Sequence, residues 1–214
     1  MIVRPVQHHI TSRIVAPTIK VYEEGARTFL KRWTARRKRS SALQKEWMAG
    51  LPRGAVVVDL GCGGGQDAQV LRREGYRVVG MDLTAAFLRM AREAVPSLPL
   101  IRADMRELPF RAASFDGVWA AASLIHLPKA EATRLLKALR LLTKPGATLA
   151  ATVTYGTKSG LLTKGWMPGR YFARWKKDEL AKVLHRAGWQ VLSLRVVSNQ
   201  ERKGRWINLI ARRG

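Results

Sequence analysis

The chain has 214 residues, 47% of them hydrophobic, which suffices for one globular domain with a full apolar core. It contains 39 lysines and arginines against 15 acidic residues, a net charge of +24. No apolar run approaches the roughly 18 residues of a membrane span, so we expect no membrane association. A single cysteine excludes an internal disulfide. With an N-terminus that lacks an apolar segment, it favours a reducing, cytoplasmic location.

The positive charge is concentrated in the two flanks of the chain. Residues 1–53 carry a net charge of +9 and residues 151–214 a net charge of +11, whereas residues 54–150 carry only +4. Basic surfaces of this kind favour a polyanionic partner, most simply RNA. The alternative is an ordinary solvated surface. That explanation does not account for flanks that are poor in acidic residues beside a core that keeps them.

The first flank predicts an arm followed by a helical cap. Residues 1–17 show no periodicity and contain two prolines, so we expect a loose arm. Apolar residues recur at helical spacing over residues 18–38 and predict one helix laid over a sheet. A basic run occupies residues 36–39, and a second helix is predicted over residues 42–50. Residues 18–53 therefore form a predicted N-terminal helical cap.

The most informative segment is a strand that ends in an acidic residue and turns on glycines into a helix. Valines 56–58 lack polar alternation, which predicts a strand covered on both faces, as in a parallel α/β sheet. Asp59 lies near the end of this strand. Glycines then follow at alternate positions, namely Gly61, Gly63 and Gly65. Such glycines allow a sharp turn and the close approach of a ligand. The next helix is predicted from Gln66 to a terminal Gly75.

The spacing of these glycines separates two classes of cofactor. Dinucleotide-binding turns have the pattern G-x-G-x-x-G, with the pyrophosphate at the helix N-terminus. Here the pattern is G-x-G-x-G, and Asp59 precedes the first glycine by two residues. A carboxylate at that position is poorly placed for a pyrophosphate and well placed for the ammonium group of an amino-acid moiety. A tight turn without any ligand is the remaining alternative.

Three further apolar strands follow, and two of them carry an acidic residue at the end. Residues 75–83 include Asp82, which lies 17 residues past the last glycine, close to the spacing of a carboxylate that binds ribose hydroxyls. Residues 98–105 include Asp104, and residues 114–122 form the next strand. One acidic residue at a strand end is usually a helix N-cap. Three in succession make that explanation insufficient for the set.

In this order, the segments resemble the motifs of class I S-adenosylmethionine-dependent methyltransferases over roughly residues 20–212. The chain is most similar to small bacterial members and more distantly to methyltransferases of wobble uridines in tRNA. The resemblance implies an α/β, Rossmann-like fold with helices on both faces of a mostly parallel, seven-stranded sheet that has an antiparallel edge. It also implies S-adenosylmethionine as the cofactor. The implied cofactor-binding residues are Tyr22, Asp59, Gly61, Cys62, Gly63, Gly65, Asp82, Leu83, Asp104, Met105 and Ala120.

The remaining segments complete a single methyltransferase domain over residues 18–214. Within its cofactor-binding core, residues 54–150, helices are predicted at 85–94, capped by Thr84, and at 131–142. The second flank, residues 151–214, is predicted to form a basic substrate-side loop and two C-terminal strands at 191–197 and 206–211. The loop covers residues 155–170, and loops of this length in a compact domain are usually functional or disordered.

Several residues are candidates for chemistry and substrate recognition. His126, just past the fourth strand, is the candidate for a catalytic general base, with a structural or substrate-contacting role as the alternative. Two pairs of a guanidinium and an aromatic ring are candidates for substrate binding: Arg170 with Tyr171, and Arg205 with Trp206. Such pairs suit RNA phosphates and bases, and equally a carboxylate-bearing small molecule. No spacing of cysteine and histidine predicts a metal site.

The predicted function is methyl transfer from S-adenosylmethionine to an oxygen or carboxylate acceptor. The tetrad typical of amino-methylating nucleic-acid enzymes is absent, because residues 120–123 read Ala-Ala-Ala-Ser. Structured RNA is the favoured substrate, and a small anionic metabolite is the alternative. A non-catalytic nucleic-acid-binding module with a vestigial cofactor site is the alternative from a different class. We expect a monomer or a weak dimer.

Overall fold

The computed structural model describes residues 13–34, 40–199 and 204–214. Its helices are α1 Val15–Thr34, α2 Ala42–Met48, α3 Gln66–Arg73, α4 Ala85–Ala94, α5 Lys129–Leu142 and α6 Lys177–Arg186. Its strands are β1 Val56–Leu60, β2 Arg77–Asp82, β3 Leu100–Arg102, β4 Phe115–Ala121, β5 Thr143–Tyr155, β6 Gly160–Leu161, β7 Tyr171–Phe172, β8 Arg174–Trp175, β9 Trp189–Asn199 and β10 Gly204–Arg213. The alternation of strands and helices predicted for the cofactor core is confirmed.

The central sheet follows the order β3-β2-β1-β4-β5-β10-β9. Strands β1 to β5 pair in parallel, and β10 pairs antiparallel with both β5 and β9. The predicted α/β fold, with a mostly parallel sheet and an antiparallel edge, is therefore confirmed. The strand count exceeds seven because β8 pairs in parallel with the end of β5, and β6 and β7 form a separate hairpin.

Apolar side chains on both faces of the sheet explain the run of valines in β1. Successive side chains of a strand point to opposite faces. Val58 packs in the cluster that contains Leu139 of α5 and Leu184 of α6, whereas Val57 packs in the cluster that contains Trp47 of α2. Because helices cover both faces, the strand has no solvent-facing side on which polar residues would alternate.

Helix α1 packs against α4, which follows it by about 50 residues in sequence, through a third apolar cluster. Tyr22, Ala26 and Leu30 of α1 pack there with Phe87 of α4. The predicted arm, residues 1–17, ends too late, because the helix already begins at Val15, a buried core residue. A proline is tolerated in the first turn of a helix, where its missing N–H costs no hydrogen bond. Residues 1–12 and the basic run 36–39 lie outside the described residues.

The cap of α4 differs from the prediction. Thr84 is the N-cap residue, but its side chain makes no capping hydrogen bond. The side chain of Glu23 on α1 caps the helix instead, accepting hydrogen bonds from the backbone N–H groups of Ala85 and Ala86 at 2.6 and 2.9 Å. A carboxylate at a helix N-terminus is stabilised by the unpaired N–H groups and the helix dipole. This contact ties α1 to the cofactor core.

Candidate active site

A cavity of about 460 Å³ lies at the carboxyl ends of the parallel strands and beneath α1. Most predicted site residues line it, namely Tyr22, Asp59, Gly61, Cys62, Gly63, Asp82, Leu83, Asp104, Met105, His126, Arg170, Arg205 and Trp206. The fold therefore gathers residues from the helical cap, the cofactor core and the C-terminal flank around one space. Ligands of open α/β sheets bind at this edge.

Two predicted cofactor-binding residues lie away from the cavity lining. Gly65 is the N-cap of α3 with φ 80°, and a Cβ there would meet side-chain atoms of Ala91 and Leu98 at 3.4 Å. Its role is the geometry of the turn and the packing of the helix against its neighbours. Ala120 is fully buried in the core, because strand alternation turns its neighbour Ala121 toward the cavity instead.

The glycine turn has the conformation that its sequence predicts. Gly61 has φ 77° and Gly63 has φ 53°, both in the region that favours glycine. A Cβ on Gly61 would lie 2.4 Å from the Cβ of Ser123, so no larger residue fits at that position. A Cβ on Gly63 would meet no atom within 4 Å, which shows open space beside the backbone. The turn thus presents bare backbone to the cavity.

Asp82 holds this turn from the next strand. Its Oδ2 accepts a hydrogen bond from the N–H of Gly63 at 2.9 Å, and its Oδ1 accepts one from the N–H of Thr84 at 2.8 Å. Burial raises the pKa of Asp82, although these N–H donors oppose the shift. The Thr84 side chain and the Leu83 N–H donate to the same carboxylate. The predicted ribose ligand therefore lies in the cavity wall, held in position by several donors of the turn.

The surroundings of two other predicted cofactor-binding residues, Asp104 and Cys62, are not evident from the sequence. The carboxylate of Asp104 is bound by Arg106, whose Nε and terminal nitrogen donate at 2.7 to 3.0 Å. Arg106 also contacts Glu131, so it links the loop after β3 to α5. Burial raises the pKa of the Cys62 thiol well above its usual value, and the nearby Asp82 and Asp59 add to the shift. Cys62 therefore stays protonated and serves as a small buried side chain.

His126 is hydrogen-bonded through both ring nitrogens. Its Nδ1 lies 2.8 Å from the backbone carbonyl of Tyr171, and its Nε2 lies 2.9 Å from the hydroxyl of Tyr22. A carbonyl only accepts, so Nδ1 carries the proton, and Nε2 of the neutral ring accepts from Tyr22. Burial lowers the pKa of His126 to about 4, and the charge of Arg170 acts in the same direction. The predicted general base is thus neutral near pH 7 and has no unoccupied ring nitrogen.

The predicted substrate residue Tyr171 contributes backbone rather than side chain. Its side chain does not line the cavity. Its carbonyl fixes the tautomer of His126, and its N–H donates to the hydroxyl of Thr18 on α1 at 2.9 Å. The segment that carries the substrate residues is therefore tied to the helical cap by hydrogen bonds.

Arg170 is a buried cation in the wall of the cavity, with 5% of its surface exposed. It donates from Nε to the carbonyl of Met167, from one terminal nitrogen to the carbonyl of Trp166, and from the other to the Tyr22 hydroxyl, at 2.9 to 3.1 Å. These contacts use three of the five N–H groups of a guanidinium. No carboxylate of the described residues lies within ion-pair distance of it.

The sheet order separates the charges of the cavity into two ends. Asp59, Asp82 and Asp104 lie at the ends of β1, β2 and β3, on one half of the sheet, and Asp67 follows on α3. We call these four residues the acidic end. The arginine end collects on the other half, around β5, β8, β10 and α1, and consists of Arg32, Arg170, Arg174 and Arg205.

The prediction missed Arg174 as a lining residue, although a signal was present. Arg170, Phe172 and Arg174 all line the cavity, whereas Tyr171 and Ala173 between them do not. This is the alternation of an extended chain, in which every second side chain points to the same face. The sequence contains that pattern, but the segment lies in a stretch where loop-forming residues dominate.

Comparisons with known proteins agree with this geometry. The family model described as a methyltransferase domain matches residues 57–146. Trans-aconitate 2-methyltransferase of Azoarcus sp. (strain BH72) is 38% identical over 139 residues, which are 63% of this chain and 53% of that protein. Malonyl-[acyl-carrier protein] O-methyltransferase of Erwinia pyrifoliae is 37% identical over 47% of this chain and 38% of that protein. The chain thus spans about half of the length of the first relative and a smaller part of the length of the second.

A solved structure covers nearly the whole chain. It is 1,6-didemethyltoxoflavin-N1-methyltransferase of Burkholderia thailandensis, with bound 1,6-didemethyltoxoflavin and S-adenosylhomocysteine, and it superposes with a TM-score of 0.77. It is 20% identical and covers 99% of this chain and 94% of its own. Residues 57–146 thus match a methyltransferase domain, and the comparisons support a class I S-adenosylmethionine-dependent methyltransferase. The likeness to tRNA methyltransferases stays a prediction.

The acidic end fits S-adenosylmethionine, the cofactor of this family. It offers bare glycine backbone at Gly63, a ribose-type carboxylate at Asp82 and the buried carboxylate of Asp59. Within the described ranges, no group of histidine, cysteine and acidic residues could hold a metal ion. None of the described helices is long and apolar enough to cross a membrane.

Proposed function

We propose that this methyltransferase transfers the methyl group of S-adenosylmethionine to a carboxylate oxygen of a small organic acid. Arg170 carries the proposal, because its guanidinium is buried, faces the cavity and has no carboxylate partner among the described residues. Burying a charge costs several kcal/mol unless an opposite charge compensates it. The rings of Tyr22 and Phe172 compensate in part. An organic acid entering the cavity would complete the ion pair.

We assign the acidic end to the cofactor. Asp82 would accept from the ribose hydroxyls, and Asp59 would face the ammonium group of the amino-acid part, as the family resemblance implies. Met105 and Leu83 would lie along the adenine, since both line the cavity near the ends of β2 and β3. Asp104 would share its carboxylate between Arg106 and the adenine amino group, because Arg106 already occupies part of its acceptor capacity.

The reaction needs alignment more than acid–base chemistry. When bound, S-adenosylmethionine supplies an electrophilic methyl group on a sulfonium. A lone pair of the carboxylate oxygen would form the new O–CH₃ bond as the S–CH₃ bond breaks, and the electron pair of the S–CH₃ bond would remain on the thioether sulfur. A carboxylate is already ionised near pH 7, so no proton has to be removed. The chain's contribution is to hold the acid in line and to exclude water beneath α1.

The environment of His126 favours such an acceptor. An alcohol or phenol would need a base to take its proton. His126, with a pKa of about 4 and both nitrogens occupied, is poorly suited to that task. We therefore assign His126 as a positioning residue that holds the Tyr22 hydroxyl, and through it Arg170 and α1, in place over the cavity. The catalytic role that the sequence predicts for His126 would be needed only if the acceptor were an alcohol or a phenol.

The relatives support a small anionic substrate. Two of them are named for trans-aconitate and for a malonyl group, and both names denote carboxylic acids. The observation that favours RNA is the charge of the flanks, a net +20, of which +6 lies outside the described residues, at positions 1–12, 36–39 and 200–203. RNA methylation is therefore the competing outcome of the test.

The test uses S-adenosylmethionine labelled in the methyl group and a cell extract separated into small acids and RNA. We expect label in the small-acid fraction that alkali releases as methanol, because methyl esters hydrolyse there. Asp82→Ala should lower the labelling at least about tenfold when S-adenosylmethionine is limiting, whereas Arg212→Gln, at the far exposed end of β10, should leave it unchanged. Label in RNA that nuclease digestion converts to nucleotides would overturn the proposal.

A further inference from the structure

The arginine end contains a second basic subsite, separate from Arg170. Arg170 and Arg174 lie four residues apart on the same face of an extended segment, with Phe172 between them. Extended chain advances about 3.3 Å per residue, so the two backbone positions are roughly 13 Å apart. Arg170 is buried, whereas Arg174 is only partly buried. The two guanidinium groups therefore belong to an inner and an outer part of the cavity wall.

A second arginine accompanies Arg174 in the outer part. Thr154 at the end of β5 pairs with Arg174 on one side and with Trp206 on the other, and all three residues line the cavity. The neighbour of Trp206 in sequence is Arg205, whose guanidinium carbon lies 4.0 Å from the centre of the Tyr155 ring. Successive side chains of a strand point to opposite faces, so Arg174 and Arg205 flank the same strand end from the two faces of the sheet, and both line the cavity. We name them the outer arginine pair.

Neither member of this pair has an acidic partner within ion-pair distance among the described residues. The methylene groups of Arg174 lie against Gly156, where an added Cβ would meet its Cδ at 3.1 Å, and Arg205 stacks on Tyr155. Both side chains are therefore held by packing while their charges remain available to a ligand. Two held guanidinium groups around one strand end suit a carboxylate or phosphate.

We propose that the outer arginine pair binds a second anionic group of the substrate, so that the substrate is a dianion held at Arg170 and at the outer pair. The inference rests on the proposed function, since it takes Arg170 as the anchor of the first group. The aromatic floor formed by Phe172 between the two basic subsites suits the carbon skeleton that joins the anionic groups. The preferred length of that skeleton follows from the fixed separation of the two subsites.

The test measures ligand binding to the complex of the protein with S-adenosylhomocysteine. By calorimetry, straight-chain dicarboxylates of four to eight carbons are compared with monocarboxylates of the same length. We expect at least one diacid to bind about tenfold more tightly than its monoacid, the weaker end of the range for hydrogen bonds between charged groups. Arg174→Gln combined with Arg205→Gln should remove this advantage and leave monoacid binding unchanged. Arg170→Gln should weaken both kinds of acid.

Arg212→Gln is the matched control, because it removes one exposed arginine from the opposite end of β10. It should retain the full advantage of the diacid. Equal binding of diacids and monoacids would overturn the inference, as would an advantage that survives loss of both outer arginines. Those outcomes leave the proposed function intact as long as monoacids bind through Arg170. If monoacids and diacids both fail to bind a complex that holds S-adenosylhomocysteine, the proposed function fails as well.

Discussion

The acidic end and the arginine end of the cavity are built from the chain in different ways. The acidic end comes from one stretch, residues 59–104, in which each carboxylate follows a strand or opens a helix. The arginine end collects side chains from α1, from the segment around residue 170 and from β10. Recognition of the cofactor is therefore encoded locally, whereas recognition of the substrate depends on how distant segments meet.

Helix α1 connects the two ends through neighbouring residues. Glu23 caps α4 beside the acidic end, and Tyr22 contacts His126 and Arg170 at the arginine end. If this division holds, a variant at one end should change the binding of one ligand only. A variant in α1 should change the stability of the whole site. Four experiments test these expectations.

The largest expected effect is on the pH dependence of stability, through His126 at the arginine end. Its pKa is about 4 in the folded protein and close to 6.5 in the unfolded chain. Between these values the unfolded state binds more protons, so stability is full above about pH 6.5 and falls as the pH drops toward 4. The contribution reaches about 3 kcal/mol. Urea unfolding at pH 7.5 and 4.5 measures it.

The comparison that isolates this term uses two histidine variants. His126→Gln should lose about 2–3 kcal/mol less than the wild type between the two pH values, because the term is absent from it. His185→Gln, on the exposed face of α6, should keep the wild-type dependence. Identical pH dependence in all three proteins would show that His126 is not held neutral by the fold.

The next effect concerns the cofactor alone. Asp82→Ala removes the acceptor of the Gly63 and Thr84 N–H groups together with the proposed ribose contact. Charged hydrogen bonds contribute about 1.5–3 kcal/mol, so the affinity for S-adenosylhomocysteine should fall roughly ten- to a hundredfold. Asp116→Ala is the matched control, since this carboxylate lies at the amino-terminal end of β4, away from the cavity, and pairs with Lys144. Its affinity for S-adenosylhomocysteine should remain that of the wild type.

The contrast between the two ends also explains how far the sequence could be interpreted. The strands, the glycine turn and Asp82 follow from hydrophobic runs, turn residues and fixed spacing, which all act within about 30 residues, the length of a βαβ unit. Gly65 and Ala120 were assigned to the cofactor because they belong to the same motifs. Their burial depends on α4 and the core, which no local pattern describes.

For the arginine end, the sequence predicts some of the residues but not the contacts that they make. The pairing of a guanidinium with an aromatic ring pointed to Arg170 and Arg205, but not to the hydrogen bond between Arg170 and Tyr22, which joins residues 148 positions apart. For the same reason His126 was expected to be a base. The carbonyl of Tyr171, 45 positions away, decides which nitrogen holds the proton, and Tyr22, 104 positions away, occupies the other nitrogen.

A smaller effect is expected from a conservative change at the arginine end. Arg170→Lys keeps the charge but loses the planar fork that donates to Met167, Trp166 and Tyr22 together. We expect the affinity for the acidic substrate, or for a monocarboxylate probe, to fall about tenfold. The affinity for S-adenosylhomocysteine should not change, and calorimetry measures both. A parallel loss of cofactor affinity would show that the two ends are not independent.

The smallest effect is expected at the joint between the two ends. Glu23→Gln removes the negative charge that accepts from Ala85 and Ala86 at the N-terminus of α4, which should cost about 1 kcal/mol of unfolding free energy. Glu24→Gln is the control on the same helix. Glu24 makes an exposed ion pair with Lys20, so its substitution should cost less than about 0.5 kcal/mol. Urea unfolding at pH 7.5 measures both values. Since Glu23 also orders the loop that follows Asp82, cofactor affinity should fall slightly in Glu23→Gln and not in Glu24→Gln. If the two variants behave alike, α1 is attached to the core by its apolar face with Phe87 rather than by this carboxylate.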